Sequence, residues 1–253
     1  MGINEQAEAG FGRGAATYER GRPSYPPDAI DRLVRELGIG PDRDVLDLAA
    51  GTGKLTRLLV PTGARLVAVE PVAAMADQLR TAVPGVEVHD GTAESIPLPD
   101  GSVDAVVVGQ AFHWFDAPVA LAEIARVLRP GGGLGLIWNE RDSSVPWVAE
   151  LNRQIRWDER DRWSVPYTLE EDWVARIDGL ESSFGPVHRY DTTYHQHLDV
   201  DALVERVLST SYLASQPDDV QASIAEQVRT LVAGFDEPID LPYVTSAYWC
   251  HLR

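Results

Sequence analysis

The chain has 253 residues, and 39 acidic against 22 basic residues give it a formal net charge of −17 at pH 7. Nucleic acids and anionic membrane surfaces are bound through clusters of Lys and Arg, so we expect neither as a partner. The single cysteine, Cys250, excludes an intrachain disulfide and a cysteine-based metal cluster, and we expect no metal. The first residues lack the pattern of a signal peptide, and no apolar run approaches the ~18 residues of a membrane span, so we expect a cytoplasmic protein.

The first half of the chain alternates between strand and helix patterns. The first helix, 27–37, has its apolar residues on one face and ends before Gly38. A continuous apolar run at 103–108 indicates a strand that is covered on both faces. The other predicted elements are strands at 44–49, 65–69, 86–89 and 134–138, helices at 72–83, at 117–128 and from Leu55 onward, and a turn at 130–133. Regular alternation of this kind predicts a parallel sheet with right-handed crossovers.

The pattern changes after Asn139. Residues 143–180 are predicted to form helices that contain four tryptophans. We interpret this segment as an insertion over the sheet, so that residues 1–253 form a single domain. The elements predicted beyond it are a strand at 187–197, helices at 201–212 and 218–233, and a final strand at 242–252.

A glycine-containing turn joins the first strand to the next helix, where bare backbone and helix N–H groups can approach a ligand. A phosphate-binding P-loop would need glycine at Leu48 and a hydroxyl residue at Leu55, and both positions fail. A dinucleotide fingerprint fits Gly51 and Gly53 but has Thr56 at its third glycine. Two alternatives therefore stay open: dinucleotide binding, which the sequence matches poorly, and an ordinary strand–helix turn without a ligand.

The same turn resembles motif I of the class I S-adenosylmethionine-dependent methyltransferases. Asp47 is the acid that precedes the Gly-x-Gly-x-Gly run of that motif, and Ala49 stands in place of its first glycine. Residues 11–26 resemble the segment that begins one branch of these enzymes, and residues 111–115 resemble the motif after its fourth strand. Together these segments are similar to the type 11 small-molecule methyltransferases, including trans-aconitate methyltransferase-like proteins.

The resemblance implies a fold and a placement of segments. The fold is a Rossmann-like three-layer α/β sandwich with a seven-stranded, mostly parallel sheet of order 3-2-1-4-5-7-6, in which strand 7 is antiparallel. Residues 1–27 are expected to cover the cofactor, and the helical insertion at 143–180 is expected on the acceptor side.

S-adenosylmethionine is the expected cofactor. Glu70 ends the second strand seventeen residues after Gly53, where an acid can accept hydrogen bonds from both ribose hydroxyls. Asp90 can accept a hydrogen bond from the adenine amine. The alternatives are a solvated strand-end carboxylate for Glu70 and a simple turn for the segment that contains Asp90. The residues expected to bind the cofactor are Tyr18, Arg22, Asp47, Ala49, Gly51, Gly53, Glu70, Pro71, Met75, Asp90, Gly91, Thr92, Ala93 and Gln110.

The methyl sulfonium is already activated, so positioning and desolvation can supply most of the rate without an obligatory catalytic side chain. His113, just beyond the fourth strand, is the candidate general base for a hydroxyl acceptor, and packing or a cofactor contact are its alternatives. Arg141 can pair with an acceptor carboxylate or form a surface ion pair. The residues expected to bind the acceptor are His113, Trp114, Asn139 and Arg141.

The predicted function is methyl transfer from S-adenosylmethionine to a small molecule, with a carboxylate or hydroxyl oxygen favoured. An NAD-linked oxidoreductase and a non-catalytic S-adenosylmethionine-binding protein are the alternatives. The tryptophans of the 143–180 segment either line an apolar acceptor pocket or, as their spacing favours, pack in the core; they are Trp147, Trp157, Trp163 and Trp173. The identity of the acceptor, the acceptor atom and the oligomeric state stay open.

Overall fold

The computed structural model describes residues 21–157 and 183–253. The helices are α1 (Pro27–Glu36), α2 (Lys54–Leu59), α3 (Ala73–Ala82), α4 (Ala117–Val127), α5 (Pro146–Gln154), α6 (Val200–Leu208), α7 (Ser211–Ala214) and α8 (Asp218–Leu231). The strands are β1 (Asp44–Leu48), β2 (Arg65–Val69), β3 (Glu87–His89), β4 (Val103–Gly109), β5 (Leu128–Arg141), β6 (His188–Leu198) and β7 (Ile239–His251). Tyr18, Trp163 and Trp173 lie outside the described residues.

The strands form one sheet with the order β3-β2-β1-β4-β5-β7-β6. β1 is parallel to both β2 and β4, β2 is parallel to β3, and β4 is parallel to β5, whereas β7 is antiparallel. This confirms the predicted Rossmann-like α/β fold and its strand order. Because the chain moves to opposite sides of β1 in forming β2 and β4, the carboxyl ends of β1 and β4 border the point where ligands collect in such sheets.

Alternate residues of the central strands face two separate hydrophobic cores. Leu46 and Leu48 of β1 pack in a core with α4, whereas Val45 packs in a second core with α1. Strands covered on both faces consist largely of aliphatic residues, as the sequence of β4 also shows. Asp47 faces the same side as Val45 and is the residue of β1 that is both polar and buried.

The fifth strand is longer than the predicted 134–138, so the predicted limits were wrong. β5 runs from Leu128 to Arg141 and includes the Pro-Gly-Gly-Gly stretch that was predicted to be a turn. A Cβ on Gly132 would lie 2.8 Å from the carbonyl oxygen of Asp104, and one on Gly133 would lie 2.6 Å from Cδ2 of Leu37. These glycines therefore allow the close approach of the neighbouring strand β4 and of the end of α1.

The helix predicted at 201–212 is divided into α6 and α7. The hydroxyl of Ser209 donates to the carbonyl of Arg206 at 2.8 Å, just where α6 ends. Hydroxyl side chains of this kind compete with the backbone for hydrogen bonds and favour helix ends. The apolar periodicity continues across the break, which is why it predicted one helix.

The described residues belong to two compact units. The larger unit comprises residues 24–138, 183–192 and 245–253, and it holds both cores beside β1 and β4. The smaller unit comprises residues 21–23, 139–157 and 193–244, and it has its own hydrophobic core formed by α5, α6, α8 and part of β7. The interpretation of the chain as a single domain stays a prediction.

Candidate active site

The turn between β1 and α2 has a left-handed backbone conformation at three positions. Ala49, Gly51 and Gly53 have φ angles of 56°, 58° and 81°. A Cβ on Gly53 would lie 2.9 Å from Cγ of Leu79, so both conformation and space require glycine there. Ala49 adopts the same conformation at a cost of about 1 kcal/mol. Strained backbone of this kind persists only where its surroundings hold it, and it clusters at ligand-binding sites.

Glu70, directly after β2, holds this turn in place. Its side chain is buried, with 5% of the residue exposed. Oε2 accepts a hydrogen bond from the amide of Gly51 at 2.8 Å, and Oε1 accepts one from the amide of Val72 at 2.9 Å. Burial raises the pKa of Glu70, and the two amides lower it in part. The alternative of a solvated carboxylate is therefore wrong, and each oxygen keeps a lone pair for a ligand hydroxyl.

Asp47 ties β1 to α2 beneath the turn. Only 1% of this residue is exposed, and Oδ2 accepts a hydrogen bond from the hydroxyl of Thr56 at 2.6 Å. Burial, opposed by the hydrogen bond from Thr56 and assisted by the nearby charge of Glu70, raises the pKa of Asp47 to about 7. Oδ1 has no hydrogen-bond partner among the described residues. A buried carboxylate oxygen without a partner is a position that a polar ligand group can satisfy.

Two further predicted cofactor residues, Pro71 and Met75, follow Glu70, and Met75 lies in the first turn of α3. Met75 is buried, and its Sδ lies 3.8 Å from the position that a Cβ on Gly51 would occupy. Pro71 is half-buried and lies two residues before α3 begins at Ala73. The thioether therefore packs beneath the turn, while Gly51 itself has ordinary van der Waals space around it.

The segment after β3 forms a tight turn. Asp90 is exposed, and the carbonyl of Thr92 accepts the hydrogen bond that closes the turn. A Cβ on Gly91 would lie 2.6 Å from Cδ of Pro97, and Ala93 packs in the core beside α4. The close approach of Pro97 accounts for the glycine at 91, so steric room for an adenine ring is not needed to explain it.

The chain leaves β4 through a second strained residue. Gln110 has a φ angle of 59°, and its amide donates to a carbonyl of β5 at 2.9 Å. His113 lies in a single 3-10 turn, half-buried, with its ring centroid 4.9 Å from that of Trp114. Phe112 and Phe115 anchor the turn through an edge-on contact with ring centroids 5.4 Å apart. Left-handed residues thus follow both β1 and β4.

The predicted acceptor residues Asn139 and Arg141 lie within β5 and belong to the smaller unit. Arg141 is 7% exposed, and its Nε donates to Oδ1 of Asn152 at 2.7 Å. Its guanidinium carbon lies 4.2 Å from the ring centroid of Trp157. Burial, and then the charge of Arg206, lower the pKa of Arg141 to about 9. The alternative of a surface ion pair is wrong, because Arg141 is buried and has no ion pair within the described parts of the chain.

The N-terminal segment is described only from residue 21 onward, so Tyr18 cannot be placed. Arg22 belongs to the smaller unit, and its Nη2 donates to the carbonyl of Ser209 at 3.4 Å. Tyr25, in the larger unit, packs against the end of β4: its hydroxyl lies 2.7 Å from where a Cβ on Gly109 would be. The described part of this segment therefore contacts the carboxyl end of the sheet through Tyr25.

Sequence reasoning missed three side chains that the structure shows to be important. Thr56 was considered only as a missing glycine, although its hydroxyl is the donor to Asp47. Tyr25 gave no signal beyond its place in the N-terminal motif. Arg206 gave a usable signal, because it lies on the apolar face of α6 near Leu203 and Val207 and is itself buried.

No helix within the described ranges combines the length and the apolar character that a membrane span requires. Within those same ranges, no cluster of three or more His, Cys, Asp or Glu side chains is arranged to hold a metal ion. Cys250 is buried in the core beside α4.

Comparison with known proteins agrees with this geometry. Residues 46–136, which contain the turn, Glu70 and His113, match a family model described as a methyltransferase domain. An uncharacterized methyltransferase of Mycobacterium tuberculosis is 44% identical over 243 residues, which cover 93% of this chain and 92% of that protein. A malonyl-[acyl-carrier protein] O-methyltransferase of Serratia marcescens is 35% identical over 132 residues, about half of each chain.

The fold is shared with solved structures. A provisionally named type II methyltransferase from Anaeromyxobacter dehalogenans superposes with a TM-score of 0.63 at 24% identity, over 90% of this chain and 97% of that one. At this identity the likeness shows the fold alone. The sequence relative that spans nearly the whole chain, the family model and the fold agree, and the chain therefore belongs to the class I S-adenosylmethionine-dependent methyltransferases, in the type 11 branch.

Proposed function

We propose that this protein binds S-adenosylmethionine at the turn after β1 and transfers its methyl group to an oxygen of a small-molecule acceptor. The observation that carries the proposal is the combination of three left-handed residues in the turn with the buried carboxylate of Glu70 that holds it. Backbone in this conformation leaves room for a ligand, and a buried acid beside it supplies hydrogen-bond acceptors.

The residues present fit the cofactor. Glu70 has a second lone pair on each oxygen for the ribose hydroxyls, and Oδ1 of Asp47 can accept a hydrogen bond from the ammonium of the methionine part. Gln110 follows β4 and is placed by its own strained backbone. The other proposed cofactor contacts are Tyr18, Arg22, Ala49, Gly51, Gly53, Pro71, Met75, Asp90, Gly91, Thr92 and Ala93.

When bound, S-adenosylmethionine supplies an electrophilic methyl group whose leaving group is a neutral thioether. Held by these residues, it would give up this methyl group to the acceptor oxygen and leave as S-adenosylhomocysteine, the neutral thioether. A carboxylate acceptor has no proton to lose. A hydroxyl acceptor loses one, and His113 is the proposed general base for that proton. The protein otherwise contributes orientation and exclusion of water.

Two observations support a small acceptor and an oxygen nucleophile. The net charge of −17 lacks the basic field that a nucleic-acid substrate requires. The relative from Serratia marcescens is named as an O-methyltransferase of malonyl-[acyl-carrier protein], which supports the oxygen nucleophile. For the acceptor contacts we propose His113, Trp114, Asn139 and Arg141.

Calorimetric titration with S-adenosylmethionine, S-adenosylhomocysteine and NADH tests the cofactor assignment. Glu70→Gln keeps the size of the side chain and removes its charge, and we expect a roughly 10- to 100-fold loss of affinity for S-adenosylmethionine. Glu87→Gln, an exposed glutamate of β3, is the matched control and should bind as the wild type does. Unchanged affinity in Glu70→Gln, or competitive binding of NADH, would contradict the assignment.

Turnover is tested separately with S-adenosylmethionine that carries a labelled methyl group. We expect label in a small acceptor and release of one S-adenosylhomocysteine for each methyl group transferred. Saturable cofactor binding without transfer to carboxylate- or hydroxyl-bearing acceptors would favour the non-catalytic binding protein instead.

A further inference from the structure

Two arginines are buried in the smaller unit, near enough for the charge of Arg206 to lower the pKa of Arg141. Arg141, in β5, is 7% exposed, and Arg206, in α6, is 4% exposed. Each uses its Nε for a hydrogen bond inside the unit: Arg141 donates to Oδ1 of Asn152 at 2.7 Å, and Arg206 donates to the hydroxyl of Tyr243 at 2.8 Å. Each guanidinium group is therefore fixed through its Nε, and these two hydrogen bonds do not involve the terminal nitrogens Nη1 and Nη2.

Three of the four terminal nitrogens of these arginines are buried donors without an acceptor among the described residues. Nη1 and Nη2 of Arg141 and Nη1 of Arg206 are buried and have no acceptor in the described parts of the chain. Neither side chain forms an ion pair with a described carboxylate, although other arginines of this acidic protein do so repeatedly. Buried polar groups are nearly always satisfied, and a buried charge without a partner is costly.

The charges around Arg141 make the cost larger. Arg206 and Arg22 lie close enough to lower the pKa of Arg141, and the polar groups that oppose them are the hydroxyls of Tyr243 and Tyr212. Like charges gathered in a buried place repel one another unless a negative charge enters between them. The groups that oppose this repulsion at Arg141 are thus tyrosine hydroxyls and not carboxylates.

The surrounding side chains hold the pair rigidly. Asn152, which accepts from Arg141, donates to the hydroxyl of Ser143 at 2.8 Å. Tyr243, which accepts from Arg206, donates to Oε1 of Gln196 at 3.0 Å, and the amide nitrogen of Gln196 donates in turn to a backbone carbonyl at 3.2 Å. Second partners that orient the binding groups in this way are typical of preformed ligand sites.

We propose that Arg141 and Arg206 form a binding site for an oxyanion, the carboxylate or phosphate group of a small molecule. Planar guanidinium forks match the paired oxygens of such groups and bind them through charge-assisted hydrogen bonds. The further step, that this oxyanion belongs to the methyl acceptor, rests on the proposed function. An oxyanion whose charge is neutralised by two arginines is a weak nucleophile, so the methyl group would go to a different oxygen of the same molecule.

The test uses thermal unfolding of the full chain without cofactor, with succinate and inorganic phosphate as probes and chloride at equal ionic strength as the reference. We expect a saturable rise in Tm with at least one probe, and the stronger probe identifies the preferred oxyanion. Arg141→Gln and Arg206→Gln should each weaken that binding roughly 10- to 100-fold. Arg153→Gln, in α5 with a side chain 72% exposed, is the matched control and should respond as the wild type does.

Arg141→Lys provides a second variant that keeps the charge and loses the fork, and we expect at least a tenfold loss of probe affinity with native circular dichroism. The proposal is overturned if neither probe raises the Tm of the wild type, or if the arginine variants respond as Arg153→Gln does. Cofactor titration separates the two proposals, since probe binding that persists when S-adenosylmethionine fails to bind removes only the proposed function.

Discussion

The turn after β1 and the arginine pair of the smaller unit both bury charged side chains, yet they differ in how those charges are satisfied. In the turn, the two oxygens of Glu70 accept backbone amides, and one oxygen of Asp47 accepts a hydroxyl. In the pair, three terminal nitrogens of Arg141 and Arg206 have no described acceptor. The comparison sets a turn whose buried acids are bonded mostly by their own chain, with Oδ1 of Asp47 the exception, against an arginine pair for which we propose a ligand.

Removing the carboxylate of Glu70 tests whether this side chain stabilises the turn, and it is the substitution with the largest expected effect. Glu70→Ala leaves the buried amides of Gly51 and Val72 without their acceptor, and each such loss costs about 1–3 kcal/mol. With the lost packing, we expect the free energy of unfolding to fall by roughly 3–6 kcal/mol in urea titration. Glu87→Ala should change it by less than about 0.5 kcal/mol. An equally small effect in Glu70→Ala would mean that the turn does not depend on this carboxylate.

The pH dependence of stability tests Asp47. Its pKa is about 7 in the folded chain and near 3.8 when unfolded, so the folded state holds the proton more tightly. Stability should therefore fall as pH rises from about 4 to about 7 and then level off, by roughly 2–4 kcal/mol.

Asp47→Asn keeps an acceptor for Thr56 and cannot ionise, so its urea midpoint should lack this decline. The difference between wild type and Asp47→Asn, measured from pH 4 to pH 8, isolates the contribution of this carboxyl from that of the other acids. Parallel curves for the two proteins would show that Asp47 is not protonated in the folded chain.

Substitution of Arg141 tests whether the buried arginines lack a partner within the chain, and here we expect the free energy of unfolding to rise. Arg141→Met removes a buried charge that forms no ion pair with a described carboxylate, and it loses one hydrogen bond to Asn152 and the contact with the ring of Trp157. We expect a gain of roughly 1–2 kcal/mol in the free energy of unfolding, measured without added oxyanions. Arg153→Met, at an exposed ion pair, should be nearly neutral. A loss of stability in Arg141→Met would show that the chain itself satisfies this charge.

The smallest expected effect concerns the strain in the turn. Ala49→Gly relieves a φ angle of 56° at the position where the related motif has glycine, and we expect a gain of about 0.5–1 kcal/mol in thermal unfolding. The same substitution at Ala222, exposed within α8, should instead cost about 1 kcal/mol. Losses of equal size at both positions would indicate that Ala49 is not strained.

The sequence predicted the elements whose apolar residues repeat with a clear period. Strand β2 was predicted at its observed limits, and the helices α1, α3 and α4 were predicted within one residue at each end, because a buried face leaves its period in the sequence. For α2 only the start was predicted, again within one residue. β5 was predicted too short because a Pro-Gly-Gly-Gly stretch is a strong local turn signal, and only contacts with neighbouring elements explain its glycines. Glu70 was found from its spacing, but its bonds to the turn were not.

The sequence by itself determined the strand order, through resemblance, and the placement of the glycine turn between β1 and α2, because a ligand-binding turn leaves a compact local pattern. Only the tertiary structure decided how buried charges are grouped. Arg141 and Arg206 are 65 positions apart in sequence, in a strand and a helix, and Thr56 reaches Asp47 across a turn. Hydrogen bonds and repulsion between side chains act over a few ångströms of space, and no local periodicity records which distant side chains folding brings within that range.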